Sequence, residues 1–473
     1  MRAVGPSFGE RAAKALADAS LQRAIGDLKG GFVAARARAV ADFPAFEEMR
    51  EAGRAIKDHT LANLDFYLER YAAEVERHGG HVHWASDAEE ACRIVREICA
   101  RAGARTVTKG KSMVSEEIGL NAALEADGIE VVETDAGEYI VQLAGEAPSH
   151  IVMPTVHKTA DEIADLFLDR HRAHGFEARA RDAAELIGQV RAVLRGKYFA
   201  ADVGITGANF LVAENGAGVI VTNEGNGDLT SGLARVHIVT AGIEKVVPTL
   251  DDASLLLRLL TRSALGMEAT SYTTYSIGPR RDGDIEGPEE YHVVLVDNGR
   301  SDMLAGPYRP MLRCIRCAAC LNHCPVYLAV GGHAYDAVYP GPMGAVLMPM
   351  IGGHEKAEEL PHACTLNGRC EQVCPVKIPL PDLLRRLRHD QWEAGFIRGT
   401  ARWGIAAWSW LATRPALYHR LARVVAAAGG YLGRSRGRFR YLPLASGWTE
   451  GRDMPAPQGT TFQAAWAKRR ERR

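Results

Sequence analysis

The chain has 473 residues, 47% hydrophobic and 24% charged, with 57 Lys+Arg against 58 Asp+Glu. At about 100–200 residues per domain this leaves room for two to four domains, and so ordinary a composition excludes disorder as the dominant state. The balanced charge offers no global field for nucleic acid or membrane, and no apolar segment of the ~20 residues a transmembrane helix needs is present.

No apolar core precedes the first charges, as a secretory signal would require, so a cytoplasmic protein is expected. The longest uncharged stretches, Ala337–Gly353 with its three prolines and Trp403–Thr413, do not reach spanning length. Residues 1–80 read as amphipathic helix, stopped by Gly79-Gly80. Short β-like runs then alternate with helical ones. Strands are expected at His81–Trp84, Thr106–Thr108, Ile129–Val132, His150–Met153, Val203–Ile205, Val219–Thr222, His237–Thr240, Lys245–Val247 and His292–Val296. Ser86-x-x-Glu89 predicts a capping box opening the helix that carries Cys92, and another helix is expected from Thr159. The alternation predicts a parallel, doubly wound α/β sheet over 81–300. From Arg300 the texture changes to Cys, Pro and Gly over 301–392, and 393–473 is helical again with a basic tail. Residues 434–473 hold ten Lys/Arg and three Asp/Glu, a net +7, read as a solvated run or as a docking arm for an acidic partner.

Seven of the nine cysteines lie between Cys314 and Cys374. Clustered thiols in a reducing compartment point to metal rather than disulfides. The other two, Cys92 and Cys99, share an apolar stripe at helical spacing with Ala91, Val95, Ile98 and Ala102 and are read as core packing. The first cluster, Cys314-x2-Cys317-x2-Cys320-x3-Cys324-Pro325, has bacterial ferredoxin spacing, in which three thiolates wrap one iron–sulfur cluster and the fourth ligates another. Zinc sites typically use two pairs of ligands with a longer gap. The second, Cys364-x5-Cys370-x3-Cys374-Pro375, repeats the ending of the first. Crossed ligation assigns Cys314, Cys317, Cys320 and Cys374 to one [4Fe–4S] cluster, and Cys324, Cys364 and Cys370 to the other. Seven thiolates stand where two complete cubanes need eight. The second cluster is therefore [3Fe–4S], takes a non-Cys ligand such as His362, or keeps an open iron. The 39 residues between the motifs suit an α-helical ferredoxin, by analogy with the iron–sulfur subunits of respiratory dehydrogenases.

The glycine-rich section 204–248 lacks the dinucleotide-binding fingerprint, and Lys109-Gly110-Lys111-Ser112 lacks the first glycine of a P-loop, Arg105 standing in its place. Asn223, Glu224 and Asn226 occupy a Gly-rich turn after a strand, where α/β sheets place ligand sites. His157 and Lys158, between a strand and a helix, are read as loop residues.

KSMVSEEIGLNAAL, GITGANFLVAENGAGVIVTNEGNGDL and ARVHIVTAGIEKVVPTLDDA resemble the LUD (lactate utilization) domain. CIRCAACLNHCPVY, GGHAY, YPGPMG and CEQVCPVKIPLPDLL resemble the dicluster region of the lactate utilization protein B family, and RWGIAAWSWLATRPALYH resembles its C-terminal region, so the resemblance covers about residues 60–470. The family's second motif is C-x2-C-x3-C-P; here Asn367 takes the first Cys position and Cys364 must substitute from three residues earlier. The resemblance implies an iron–sulfur electron-transfer subunit of a system oxidising L-lactate to pyruvate, not an enzyme by itself. It implies two partners, another iron–sulfur protein and a second LUD-domain protein. It also implies a ribose-5-phosphate isomerase/CoA-transferase-like sheet. In that fold a Glu in a turn such as Glu214-Asn215-Gly216 serves as nucleophile, so Glu214 is either an active carboxylate or a loop brace. Glu214, Asn215, Asn223, Glu224 and Asn226 are thus the candidate pocket residues. Two other readings stay open: an autonomous hydroxy-acid dehydrogenase using that pocket, and a CoA-ester or ligand-binding module whose clusters sense redox state.

Overall fold

The computed structural model describes residues 6–397, 399–442, 446–449 and 451–471. In the first of its two compact units, residues 1–390, the strands are β1 (His81–Ala85), β2 (Thr106–Lys109), β3 (Glu130–Glu133), β4 (Val203–Gly207), β5 (Phe210–Val212), β6 (Ala217–Thr222), β7 (Val236–Gly242), β8 (Val246–Val247), β9 (Tyr272–Ser276) and β10 (Glu290–Val296). Six form one sheet, β3-β2-β4-β7-β10-β1, parallel throughout. A smaller mixed sheet runs β8-β5-β6-β9.

Side-chain alternation along β10 shows why the parallel sheet is buried on both faces. Tyr291, Val293 and Leu295 pack with Leu68, Tyr71 and Val75 of the helix Leu64–Arg77. Val294 and Val296 pack instead with Val95, Ile98 and Cys99 of the helix Ala88–Arg101. Helices therefore cover both sides of a mostly parallel sheet. Gly204 on β4 permits one close approach: a Cβ there would lie 1.9 Å from the Thr230 carbonyl oxygen on the helix Asn226–Leu233.

Among the described residues the helical reading of the N-terminal stretch meets successive helices between Phe8 and Arg77, and Gly79 follows the last of them in a left-handed conformation (φ +85°). Three local expectations are corrected. Asp87, not Ser86, caps the Cys92 helix, its carboxylate accepting from Glu90 N at 2.9 Å, while Glu90 reaches back to Ser86 N at 3.0 Å. The cap is thus shifted by one residue, and because Glu90 bonds the amide of Ser86 rather than that of the N-cap Asp87, no capping box closes. His150–Met153 is not a strand, because His150 Nδ1 accepts from the Val152 and Met153 amides and a side chain has taken the donors a ladder needs. Lys245 lies in a 3-10 turn (Ile243–Lys245), leaving only Val246–Val247 in β8. β5 and β9 were not expected. Thr159 does cap the helix Ala160–Arg170, with Glu162 completing a capping box.

From Arg300 to Asp390 the described residues form short α- and 3-10 helices and no strand. The second compact unit, residues 391–473, contains the helices Gly399–Ala412, Pro415–Gly433 and Phe462–Glu471. Trp403, Trp408 and Trp410 of its first helix are exposed. Part of the basic tail (443–445, 450 and 472–473) lies outside the described residues. No helix among the described residues is long and apolar enough to cross a membrane.

Candidate functional site: a cysteine centre beside a cavity

All seven clustered cysteines are free thiols. Burial pushes the Cys317 thiol up to about 12, with Cys374 and Cys314 adding. Cys374 is pushed up to about 11, again by burial first, with Cys314 among its neighbours. Cys320 is raised by burial and then by Cys314, Cys317, Cys374 and, last, Cys370. Elsewhere, burial, Cys364 and Cys324 push Cys370 up to about 12, and Cys324 is raised by burial with Cys364 adding. The thiols thus fall into a group of four and a group of three. Cys320 and Cys324, four residues apart, hold the two groups side by side.

The backbone around them is bent at some cost. Arg316, Ala318, Leu366 and Lys377 all have φ between 49° and 60°, a region that side-chain-bearing residues rarely enter. Arg316 and Ala318 lie inside the first motif, Leu366 inside the second and Lys377 just after it. Such turns aim amide N–H groups inward: Leu366 N donates to Cys364 Sγ and Ile378 N to Cys374 Sγ, both at 3.3 Å. Soft, buried sulfurs with amide donors aimed at them suit iron–sulfur ligation, which must displace the thiol protons.

The N-terminal helices hold the second motif in place. Arg50 donates to the Cys374 carbonyl through Nε and Nη2 (3.1 and 2.7 Å), and Arg36 donates to the Val373 carbonyl at 3.0 Å. A small cavity is lined by Cys324, Cys364 and Cys370 together with Thr365 and Asn367. Asn367 Oδ1 is engaged by Arg369 N at 3.1 Å, whereas His362 is exposed and does not line this cavity.

A larger cavity of about 410 Å³ opens where the sheet order reverses, beyond the carboxyl ends of β2, β4 and β7. Its walls include Ser112, Thr206, Thr240 and Lys245 from the sheet side, and Arg316, Cys317 and Tyr339 from the cysteine side. The expected Asn223, Glu224 and Asn226 line it; Glu214 and Asn215 do not. Glu214 is exposed and its Oε2 accepts from Leu250 N at 3.0 Å, bracing the start of the helix Leu250–Ala264. Asn215 Oδ1 accepts from Ala217 N within its own turn. His157 is a loop residue, joined to Ser149 and Glu146, and Lys158 also pairs with Glu146. The lysine of the P-loop-like Gly110-Lys111-Ser112, Lys111, lines the cavity but donates to the Val152 carbonyl at 2.7 Å, and the preceding Lys109 is committed to Glu116 and Glu133 at 2.6 and 2.7 Å.

Beside the cavity runs a buried charge network that sequence reading missed. Arg300 grips Glu117 with both terminal nitrogens at 2.8 Å and donates through Nε to Glu244 at 2.6 Å. Arg316 reaches the other oxygen of Glu244 at 3.3 Å and lies over the Tyr339 ring, whose hydroxyl donates to Glu117 at 2.8 Å. Burial alone would raise the Glu244 carboxyl, but Arg300, Arg316 and Lys245 hold it at about 2. Burial brings the Lys57 ammonium down to about 8; burial followed by Arg316 does the same to Lys245. Four buried cations thus face two buried carboxylates. The sequence signal for this network was faint, since its members are scattered from Lys57 to Tyr339.

Residues 68–296 match the LUD domain family and residues 310–378 the 4Fe-4S dicluster domain family. Lactate utilization protein B of Lysinibacillus sphaericus (strain C3-41) is 42% identical over 472 residues, covering 99% of this chain and 98% of its own. Lactate utilization protein B of Anoxybacillus flavithermus (strain DSM 21510 / WK1) is 42% identical over 467 residues, covering 98% of each chain. The Uncharacterized electron transport protein YkgF of Escherichia coli (strain K12) is 39% identical over 465 residues, covering 98% of this chain and 97% of its own. With the LUD sheet, the dicluster motifs and near full-length identity in agreement, the chain belongs to the lactate utilization protein B family.

Proposed function

We propose that the chain is an iron–sulfur electron-transfer subunit acting in lactate utilization, with two clusters held by crossed ligation. The observation that carries this reading is the division of the seven thiols, five buried and Cys314 and Cys364 half-buried, into four and three, with Cys374 beside the first motif's cysteines and Cys324 beside the second's. Cys314, Cys317, Cys320 and Cys374 hold one [4Fe–4S] cluster. Cys324, Cys364 and Cys370 hold the other, and its remaining iron is open or carries a non-Cys ligand. Clusters bound there supply one-electron oxidation and reduction. The protein's own part is to bury the thiolates, aim amides at them and hold Cys320 and Cys324 on one short segment so that the two centres adjoin.

The relatives' names support lactate utilization as the setting and electron transport as the role. Within it, residues 301–392 act as an α-helical ferredoxin module and the LUD part adopts a ribose-5-phosphate isomerase/CoA-transferase-like arrangement. The chain works in the cytoplasm with a further iron–sulfur protein and a second LUD-domain protein to oxidise L-lactate to pyruvate. A CoA-transfer reading draws no support from Glu214, which braces a helix away from the cavity.

Anaerobic reconstitution followed by iron analysis and low-temperature EPR tests this. About seven to eight irons per chain are expected. Cys324→Ser should damage the cluster that depends on Cys364 and Cys370, and Cys374→Ser the one that depends on Cys317. If Cys324→Ser removes the same signal as Cys317→Ser, ligation is local. Tetrahedral zinc without iron–sulfur absorbance would overturn the electron-transfer role itself.

A further inference from the structure

A helix that is apolar almost all round is ordinarily buried, yet in the second compact unit the helix Gly399–Ala412 buries no residue. Trp403, Ile405, Trp408 and Trp410 are all exposed on it. The next helix, Pro415–Gly433, shows which way its apolar side is turned. Its glycines take the packed side: a Cβ on Gly429 would lie 3.1 Å from Pro457, and one on Gly433 2.4 Å from Ala456 and 3.0 Å from Phe439. On the opposite side Leu417, Leu421, Val424, Val425, Tyr431 and Leu432 recur at i, i+4, i+7, i+8, i+14 and i+15, a single helical stripe. Every one of them is exposed, Val424, Tyr431 and Leu432 by 64%, 67% and 71%. An apolar stripe left open opposite a closed glycine face marks an interaction surface.

Charge identifies the occupant. Residues 394–449 contain nine Arg and no Lys, Asp or Glu, a local net +9 in a chain whose total is −1. Whole-chain balance hides this segment because the acids lie elsewhere. Among the described residues only Arg438 of these arginines meets a carboxylate, Asp453 at 2.7 Å. Arg414 and Arg434 lie instead over the rings of Trp410 and Tyr431, at 4.0 and 4.7 Å. By helical spacing Arg420, Arg423 and Arg434 follow one edge of the apolar stripe. Apolar area edged by guanidinium groups without carboxylates and interleaved with Trp and Tyr matches a lipid headgroup boundary. Aromatic rings settle there at headgroup level, arginine stems snorkel, and anionic headgroups neutralise the charges. With 14 and 19 residues the two helices are about 21 and 29 Å long, and the longer carries Arg420 and Arg423, so they suit lying in the surface rather than crossing it.

We propose that the helices Gly399–Ala412 and Pro415–Gly433 dock the protein on the surface of an anionic phospholipid bilayer, the apolar stripe entering the acyl boundary and the arginines holding headgroup phosphates. This docking depends on neither the clusters nor the cavity, so the electron-transfer reading stands or falls apart from it.

Flotation of the iron-loaded full chain with vesicles of phosphatidylcholine alone, and of phosphatidylcholine with about one third phosphatidylglycerol, needs no variant. The chain should float with the anionic vesicles and bind the neutral ones at least about tenfold more weakly. Added salt should weaken the anionic binding. Bromine-labelled acyl chains should quench its tryptophan fluorescence, and Trp408→Phe with Trp410→Phe should lower that quenching. Arg420→Gln with Arg423→Gln and Arg434→Gln should abolish the preference for anionic vesicles. Leu421→Gln with Val424→Gln should weaken binding to them by about tenfold or more. All these side chains are exposed, so iron and helix content should stay at wild-type values. No flotation, equal affinity for both vesicles, or binding indifferent to Leu421→Gln with Val424→Gln overturns the bilayer; the last result would mean a purely electrostatic contact, as with an acidic protein surface. A vesicle-free dimer that Leu421→Gln with Val424→Gln converts to monomer would also overturn it, because a second copy would then cover the stripe.

Discussion

Glu138, on the helix Ala136–Ala144, is buried, and burial pushes its carboxyl from the ordinary 4.5 up to about 8 even though Lys111 opposes the shift. A carboxyl whose folded pKa is raised favours folding while it is protonated. The contribution is complete below about 4.5 and is lost as pH rises toward 8. Glu138→Gln should therefore lose less stability than wild type between pH 5 and pH 8, by up to a few kcal/mol. Parallel urea titrations of both proteins across that range provide the check. The comparison with the variant matters because buried His150 and His237, lowered by burial to about 4 and about 3, change stability in the opposite sense below their ordinary 6.5. At this scale the sequence was partly legible. Asn223, Glu224 and Asn226 could be found because a Gly-rich turn after a strand faces the ligand side of such sheets. Lys245 could not, because within IEKVVP it reads as one position of a strand, and only the 3-10 turn presents it to the cavity.

The loop Cys364–Cys370 carries the departure from the family spacing. Cys364 and Asn367 line one small cavity with Cys324 and Cys370, so either position can present a ligand to it. Cys364→Ser should lower iron content and remove the second EPR signal, and adding Asn367→Cys to that variant should restore both. Failure of the double variant to recover iron would mean that only the longer loop can reach. The loop around Ser149 makes a comparable point about approach between elements. Tyr327 OH donates to the Ser149 carbonyl at 2.8 Å, and a Cβ on Gly332 would lie 1.8 Å from the same oxygen. Gly332→Ala must push that loop off the cysteine region, and a loss of about 2 kcal/mol or more, read by thermal or urea melting, is expected. His150–Met153 looked like a strand from its apolar run alone. The His150 ring, bonded to Asn322 at 3.0 Å and to two of its own loop's amides, turns the segment toward the cysteines instead.

Across the first compact unit the cysteines belong to the main hydrophobic core. Cys317, Cys320, Cys324, Cys370 and Cys374 pack in one cluster with Phe46 and Leu61 of an N-terminal helix, Phe210 and Val219 of the smaller sheet and Leu256 of the helix Leu250–Ala264. Metal binding at these cysteines should therefore be coupled to the folding of more than residues 310–380. Removing iron with a chelator should lower the thermal midpoint of the whole 1–390 unit, and amide exchange should rise in the helix Phe46–Ala62 as well as in the motif loops. Exchange confined to the motif loops would show that the core stands without its clusters.

What the sequence determined by itself were the features written in short-range spacing. The cysteine intervals, the β–α alternation, the helix stops and the Gly-rich turns each follow from residues within a few positions of one another, and local sterics and ligand reach decide them. Tertiary structure alone decided which distant groups meet. Lys245 from a turn after β7, Asn226 from a helix start and Cys317 from a motif loop line one cavity only because the sheet order reverses there and the cysteine region closes over the strand ends. Glu117, Glu244, Arg300 and Arg316 become one charge network for the same reason. Burial turns these otherwise ordinary side chains into strongly interacting ones, and burial is a property of the packed chain, not of any stretch of its sequence.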